Sequence, residues 1–336
     1  MLKRLWWVDL AKGWTILLVV VAHSIQGIDK TGEYANFSSI SRFVMFLAFT
    51  VVMPVFFALS GFVYRTINAK TDIIYSIRTK FLNLGVPYVV FSIIYVVLQH
   101  FSTKVNTLYT GKDLLFIFAN PIGYLWFLYA LFLIFLVVYS FDFFHVPITA
   151  QLFVSIFLFM IGQFISLPHF FSLTFTWLIC FEIGRLLKTH SRLYIDKNLL
   201  LIFAFLFITL LVLQYMQGGL WYDTNVISLK NAGSKLLSIP VMFGIFYYAK
   251  HSKINDYFAR YGKYSLVIYM VHAPAASVFH VLLTKIYITN YFLLVILTIS
   301  LSWLASVIAV KLAGKSTIIA AIFFPSRTIK SFTNPV

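Results

Sequence analysis

Residues 10–24 read LAKGWTILLVVVAHS, and how this stretch is read decides the fold. Its middle is a run of aliphatic residues suited to a bilayer. Yet Lys12 stands near one end, His23 near the other, and Asp9 just before it. A charge near mid-membrane costs at least about 2.5–3.5 kcal/mol, so such groups face a bundle interior or a watery cavity. Lys12 and His23 are eleven residues apart. That is close to three helical turns, so both point to one face, about 16 Å apart along the axis. Asp9 shares that face and can pair with Lys12. From the residues alone two readings stand: a structural Asp9–Lys12 pair with an interfacial histidine, or a functional face.

The rest of the chain has the same character. Its 336 residues are 61% hydrophobic and only 11% charged, and the mean hydropathy is +0.91. A soluble domain is about half apolar and a quarter charged. Apolar runs of spanning length fall at 5–25, 43–64, 81–101, 124–142, 148–166, 170–187, 199–216, 235–249, 264–283 and 291–312. The expectation is an all-α membrane protein, a bundle of about ten transmembrane helices. Lys3 and Arg4 before an apolar run suggest a signal peptide, but Asp9 and Lys12 sit badly in such a core. Residues 5–25 are therefore read as a retained first span.

The net charge of +16 sorts by side. With the N-terminus inside, 19 of the 26 lysines and arginines fall on the cytoplasmic side and 7 outside. The positive-inside rule explains the basic excess without nucleic acid as a partner, and it places both termini in the cytoplasm. Trp6, Trp7, Tyr64, Tyr124, Trp126, Trp221 and Tyr222 lie near span ends, and interfacial belts explain most of them. Residues 1–312 form one membrane domain. Residues 313–336 read as a basic, amphipathic cytoplasmic tail along the inner leaflet. The single cysteine, Cys180, excludes an intrachain disulfide and a multi-cysteine metal site. No metal motif is present, and AGKST at 313–317 lacks the earlier glycine of a phosphate loop.

A basic residue, ten residues, then histidine in the first span resembles the signature of acyltransferase family 3, membrane O-acyltransferases that modify cell-surface polysaccharides. RLWWVDLAKGWTILLVVVAH at 4–23 is similar to that family's opening. FFALSGFVYR at 56–65, YLWFLYALFL at 124–133 and GKYSLVIYMVH at 262–272 resemble later segments in the family's order. The likeness runs from about residue 4 to 312 and is nearest the fucose 4-O-acetylase-like branch. One stretch departs. Where the family often has two arginines three residues apart before the third span, this chain has Lys80 and Asn83 in KFLNLGVPY.

The resemblance implies acetyl-CoA as a co-substrate rather than a bound cofactor, an acceptor outside, and an acyl group that crosses the bilayer of a bacterial cytoplasmic membrane. Arg65, Arg78 and Lys80, with Lys12 further in, are the candidates for the donor's phosphates. Lysine binds phosphate as a point charge, with less geometric definition than arginine. His23 is the candidate catalytic residue, as general base toward a sugar hydroxyl or as transient acyl carrier. The acceptor is a polysaccharide or glycolipid. Some members carry a fused extracellular hydrolase-like domain, so this chain transfers directly or uses an extracellular partner.

Supporting candidates are weighed the same way. Ser60 either serves the site or packs a helix interface beside Gly61. Trp126 is either a belt residue or a sugar-stacking platform. Tyr269 and His272 share a face, and His272 serves the site or a helix–helix hydrogen bond. Glu182 is expected to pair with Arg185. His100, His169 and His280 read as interfacial. A transporter of polysaccharide or lipid-linked sugar is the other class of function. It would carry repeated halves, and none is evident.

Overall fold

Among the described residues of the computed structural model of the chain, eight helical segments are long and apolar enough to cross a bilayer. The structure describes residues 5–67, 69–100, 108–218 and 226–333. Within them it is helical, with no strand. The principal helices are α1 Trp6–Asp29, α2 Ser38–Phe62, α3 Lys70–Lys80, α4 Val86–His100, α5 Trp126–Phe143, α6 Ile148–Phe164, α7 His169–Thr189, α8 Lys197–Gln217, α9 Ala232–Tyr248, α10 Lys253–Gly262, α11 Ser265–Lys285, α12 Tyr291–Ala313, α13 Thr317–Phe323 and α14 Pro325–Thr333. The eight spanning segments are α1, α2, the α3–α4 rod, α5, α7, α8, α11 and α12. Two further stretches read as spans form α6 and α9, each of 17 residues. At 1.5 Å per residue each is about 25 Å long, a little under a hydrocarbon core of about 30 Å.

The chain divides into two compact units. One comprises Met1–Ala22, Ser39–Thr66 and His145–Ser265. In it α6 pairs with α7 and α8 with α9. α8 leaves Leu201, Phe205, Ile208 and Met216 exposed. Such a face would aggregate in water and is the ordinary outer surface in lipid. Asp196 caps this helix, and hydrogen bonds from the Leu199 and Asn198 amides hold its carboxyl below the usual carboxylate range. The interior is partly polar and matched: Arg185 lies 3.1 Å from the fully buried Glu182 and also donates to Gln151 Oε1. An unpaired carboxylate there would cost several kcal/mol, so the expected pairing has a physical reason.

Close backbone approach sets two helix contacts in this unit. A Cβ on Gly61 would overlap the Phe181 carbonyl, and one on Gly184 would overlap that of Ala58. Likewise Gly13 abuts Phe258 O and Gly262 abuts Asp9 O, so α10 lies directly on α1. Trp14 Nε1 donates to Asn255 Oδ1 at 3.2 Å and Trp6 Nε1 to Asp256 Oδ1 at 3.0 Å across the same contact. Trp7 and Tyr64 are buried among neighbouring aromatic rings. This corrects the belt assignment of both: their rings pack inside the unit.

The other unit comprises His23–Ser38, Ile67–Phe144 and Leu266–Val336. α3 and α4 join through a wide π-type turn over Phe81–Gly85. Pro87 explains it: proline lacks the N–H that would bond the carbonyl of Asn83, and its ring crowds that carbonyl, so the ladder widens. α13 and α14 return to this rod. Phe323 is 5.6 Å from Phe91 between ring centroids, and the Ser326 amide donates to Asn83 Oδ1 at 3.2 Å. Elsewhere in the unit Ile28, Leu283, Tyr291 and Leu294 form a buried cluster that ties the end of α1 to α11 and α12. Asn290 caps α12 through the Leu293 amide.

Candidate active site

α1 is one unbroken helix, so Lys12 and His23 keep the register read from the sequence. Gln26 follows His23 by three residues on the same face, and His23 Nδ1 lies 3.2 Å from Gln26 Oε1. An amide oxygen only accepts, so Nδ1 carries the proton and Nε2 the lone pair. His23 is half-buried.

The partner of this imidazole is His272 on α11. The two ring centroids are 5.3 Å apart. His272 is fully buried, and its Nδ1 lies 2.6 Å from the Tyr269 carbonyl. That carbonyl also only accepts, so Nδ1 again bears the proton. His272 Nε2 is buried and has no hydrogen-bond partner. A buried, unpartnered lone pair is costly, and its presence beside a second imidazole marks a place for a ligand group or a proton.

Aromatic side chains hold this arrangement. Tyr124 and Tyr269 rings lie 5.4 and 5.7 Å from the His272 ring. Their hydroxyls tie the two segments reciprocally: Tyr124 donates to the Met270 carbonyl at 2.6 Å, and Tyr269 to the Tyr124 carbonyl. From α12, Ser302 Oγ donates to the His272 carbonyl at 2.8 Å. Pro274 lies within α11 two residues after His272. Tyr124 is buried, which corrects its assignment to an interfacial belt.

The other candidates lie as follows. Asp9 is 5% exposed on α1, where its carbonyl meets Gly262, and Lys12 is half-buried. Arg65 is exposed after α2. Arg78 is exposed near the end of α3, and Lys80 Nζ stands 3.8 Å over the Phe135 ring. Two residues apart on one helix, Arg78 and Lys80 do not share a face. Asn83 faces the tail helix α14. Ser60 Oγ turns back to the Phe56 carbonyl at 2.9 Å, beside the Gly61 contact. Trp126 is half-buried at the start of α5, edge-on to Phe127. Trp221, Tyr222 and the His100 side chain lie outside the described residues. No group of three or more His, Cys, Asp or Glu suited to a metal occurs among the described residues.

Gln26, Tyr124 and Ser302 were not read as site residues. Only Gln26 had a signal in the sequence, its spacing of three from His23. The other two reach His272 from segments distant in the chain.

These features define a multi-pass membrane protein with a pair of imidazoles held inside its helical interior. A family model described as an acyltransferase domain matches residues 5–307. The chain belongs to acyltransferase family 3 and is a membrane acyltransferase. Comparison with curated proteins and with solved structures gave no match.

Proposed function

We propose that this protein moves an acetyl group from cytoplasmic acetyl-CoA to a hydroxyl of a cell-surface polysaccharide, or of its sugar precursor, on the outer side of the bacterial cytoplasmic membrane. The observation that carries the reading is the His23–His272 pair with both protons turned onto fixed acceptors. His272 holds Nε2 as a buried lone pair without a partner beside the more accessible His23 imidazole, and removal of a hydroxyl proton requires an imidazole lone pair. His23 is the general base because it is the more accessible of the two. His272 Nε2 accepts a hydrogen bond from the substrate and orients it. Tyr269 and Tyr124 position His272.

In this reading the protein has ten spans with both termini in the cytoplasm. Lys12, Arg65, Arg78 and Lys80 attract the donor's phosphates, and Asp9, Ser60 and Trp126 support the site. Within the family, this reading assigns the chain to the fucose 4-O-acetylase-like branch. Membership in an acyltransferase family favours group transfer over polysaccharide export. The test compares O-acetyl signals of surface polysaccharide by NMR in cells with wild-type protein, His23→Ala and His23→Gln. Loss in both variants at normal protein level supports the reading, and full acetylation in either overturns it.

A further inference from the structure

Among the described residues, the helices that carry and flank the imidazole pair hold three buried hydroxyls without a hydrogen-bond partner: Thr15 two turns before His23, Ser24 next to it, and Thr298 on α12. Ser24 Oγ and Thr298 Oγ1 are buried with no hydrogen-bond partner, and each residue is 1% exposed. A helical hydroxyl has a ready partner in the carbonyl one turn earlier. Thr50, Ser92, Thr174 and Ser306 all take that bond. Ser24 and Thr298 leave it unmade.

The register relates both to the elements around His272. Ser24 follows His23 and precedes Ile28 by one turn on α1. Thr298 follows Leu294 by one turn on α12 and precedes Ser302 by one turn. Ile28 and Leu294 belong to one buried cluster, and Ser302 bonds the His272 carbonyl. Ser24 thus lies one turn from the cluster on α1, and Thr298 lies one turn from both the cluster and Ser302 on α12. The chemistry of these groups is complementary. His272 presents a lone pair, whereas the Tyr124 and Tyr269 hydroxyls are committed to backbone carbonyls. Ser24 and Thr298 supply uncommitted O–H donors.

We infer that Ser24 and Thr298 form the oxyanion-binding donors of the acyl-transfer step, an assignment that rests on the thioester-dependent reading above. The acceptor oxygen bonds to the thioester carbonyl carbon while its proton passes to His23 Nε2. The carbonyl π pair moves onto oxygen, where the two hydroxyls hold it. The pair then returns, the C–S bond breaks, and the departing thiolate takes the proton from His23. Preorganised donors of this kind act on the transition state more than on the bound substrate.

The experiment uses the full-length protein purified in detergent, with acetyl-CoA as donor, de-O-acetylated surface polysaccharide from the same cells as acceptor, and thiol release as readout. Ser24→Ala, Thr298→Val, Thr298→Ser and the Ser24→Ala/Thr298→Val double variant are compared. The alanine and valine changes each lower kcat about 10²-fold at nearly unchanged KM for acetyl-CoA. Thr298→Ser keeps most activity because it keeps the hydroxyl. The melting temperature stays level or rises, since an unpartnered buried hydroxyl costs stability. A folded double variant with wild-type kcat overturns the assignment alone. So does a fall in melting temperature parallel to the fall in activity, which is the behaviour of packing residues. A wild-type protein that releases no thiol from acetyl-CoA overturns the donor reading and this assignment together.

Discussion

At the scale of single residues, the site is defined by where hydrogens are committed. His23 and His272 each spend Nδ1–H on an oxygen, so replacing either ring removes a defined lone pair. His272→Gln is expected to lower kcat about 10²-fold or more, within the usual range for a positioned acid–base group. It should leave the protein folded, because it gives up only the Nδ1 bond to the Tyr269 carbonyl, and Nε2 has no partner to lose. Steady-state kinetics with a melting curve in detergent separates these effects, and a wild-type kcat would remove His272 from the site. Tyr124→Phe has a different signature. It keeps the ring and loses the bond to the Met270 carbonyl, so it should cost about 1 kcal/mol of stability. Through the position of His272 it should lower kcat with little change in KM. Lys12 and His23 were legible in the sequence because charge and polarity stand out in an apolar run. Ser24 and Thr298 were not, because a small hydroxyl residue in a span looks the same whether its proton is committed or not.

At the scale of elements, the sequence marks lengths well and faces less well. Helix ends lie within a few residues of the apolar runs for most spans, since length and hydropathy are both properties of the chain itself. Which aromatic residues face lipid is a property of neighbours. Trp7, Tyr64 and Tyr124 stand at span ends, as belt residues do, yet pack inward. Asn83 is another case. Its partner, Ser326, is 243 residues away, so the departure from the family's arginine pattern acquires a structural meaning only in the fold. The residue holds the tail helix. Asn83→Ala should loosen α14 by about 1 kcal/mol, and trypsin should then cut at Arg327 faster than in the wild type. Unchanged cleavage would mean that the Phe91–Phe323 contact suffices. The α2–α7 contact makes a stronger demand. Gly184→Leu would drive a side chain into the Ala58 carbonyl, and overpacking of this kind costs about 3 kcal/mol. Ser60→Ala, one residue from the same contact, should cost under about 1 kcal/mol, because its hydroxyl is bonded only within its own helix. Melting curves of the two variants test the contrast, which a small effect of Gly184→Leu would refute.

At the scale of the whole molecule, the open quantity is the path of the chain through the bilayer between α5 and α11. Eight segments meet a full spanning length, while α6 and α9 have 17 residues each. If both short helices cross, there are ten spans; if neither does, there are eight. Both counts are even, so the termini and the first and last pairs of spans keep their sides, and only the middle inverts. The eight-span path puts Arg185, Lys188, Arg192 and Lys197 outside and brings Lys230 and Lys235 inside, which weakens the bias from 19 against 7 to 17 against 9. The positive-inside rule therefore favours ten. A short helix can be accommodated by local thinning of the bilayer, at a modest cost per ångström of mismatch. The two paths make opposite predictions at two positions. In a Cys180→Ser background, Ser166→Cys should react with a membrane-impermeant maleimide added outside, and Ser191→Cys should react only after the membrane is opened. Lys30→Cys and Lys70→Cys are controls whose sides, outside and inside, are the same on either path. Labelling of Ser191→Cys from outside with protection of Ser166→Cys would reverse the assignment to eight spans, and external labelling of Lys70→Cys would overturn the orientation itself.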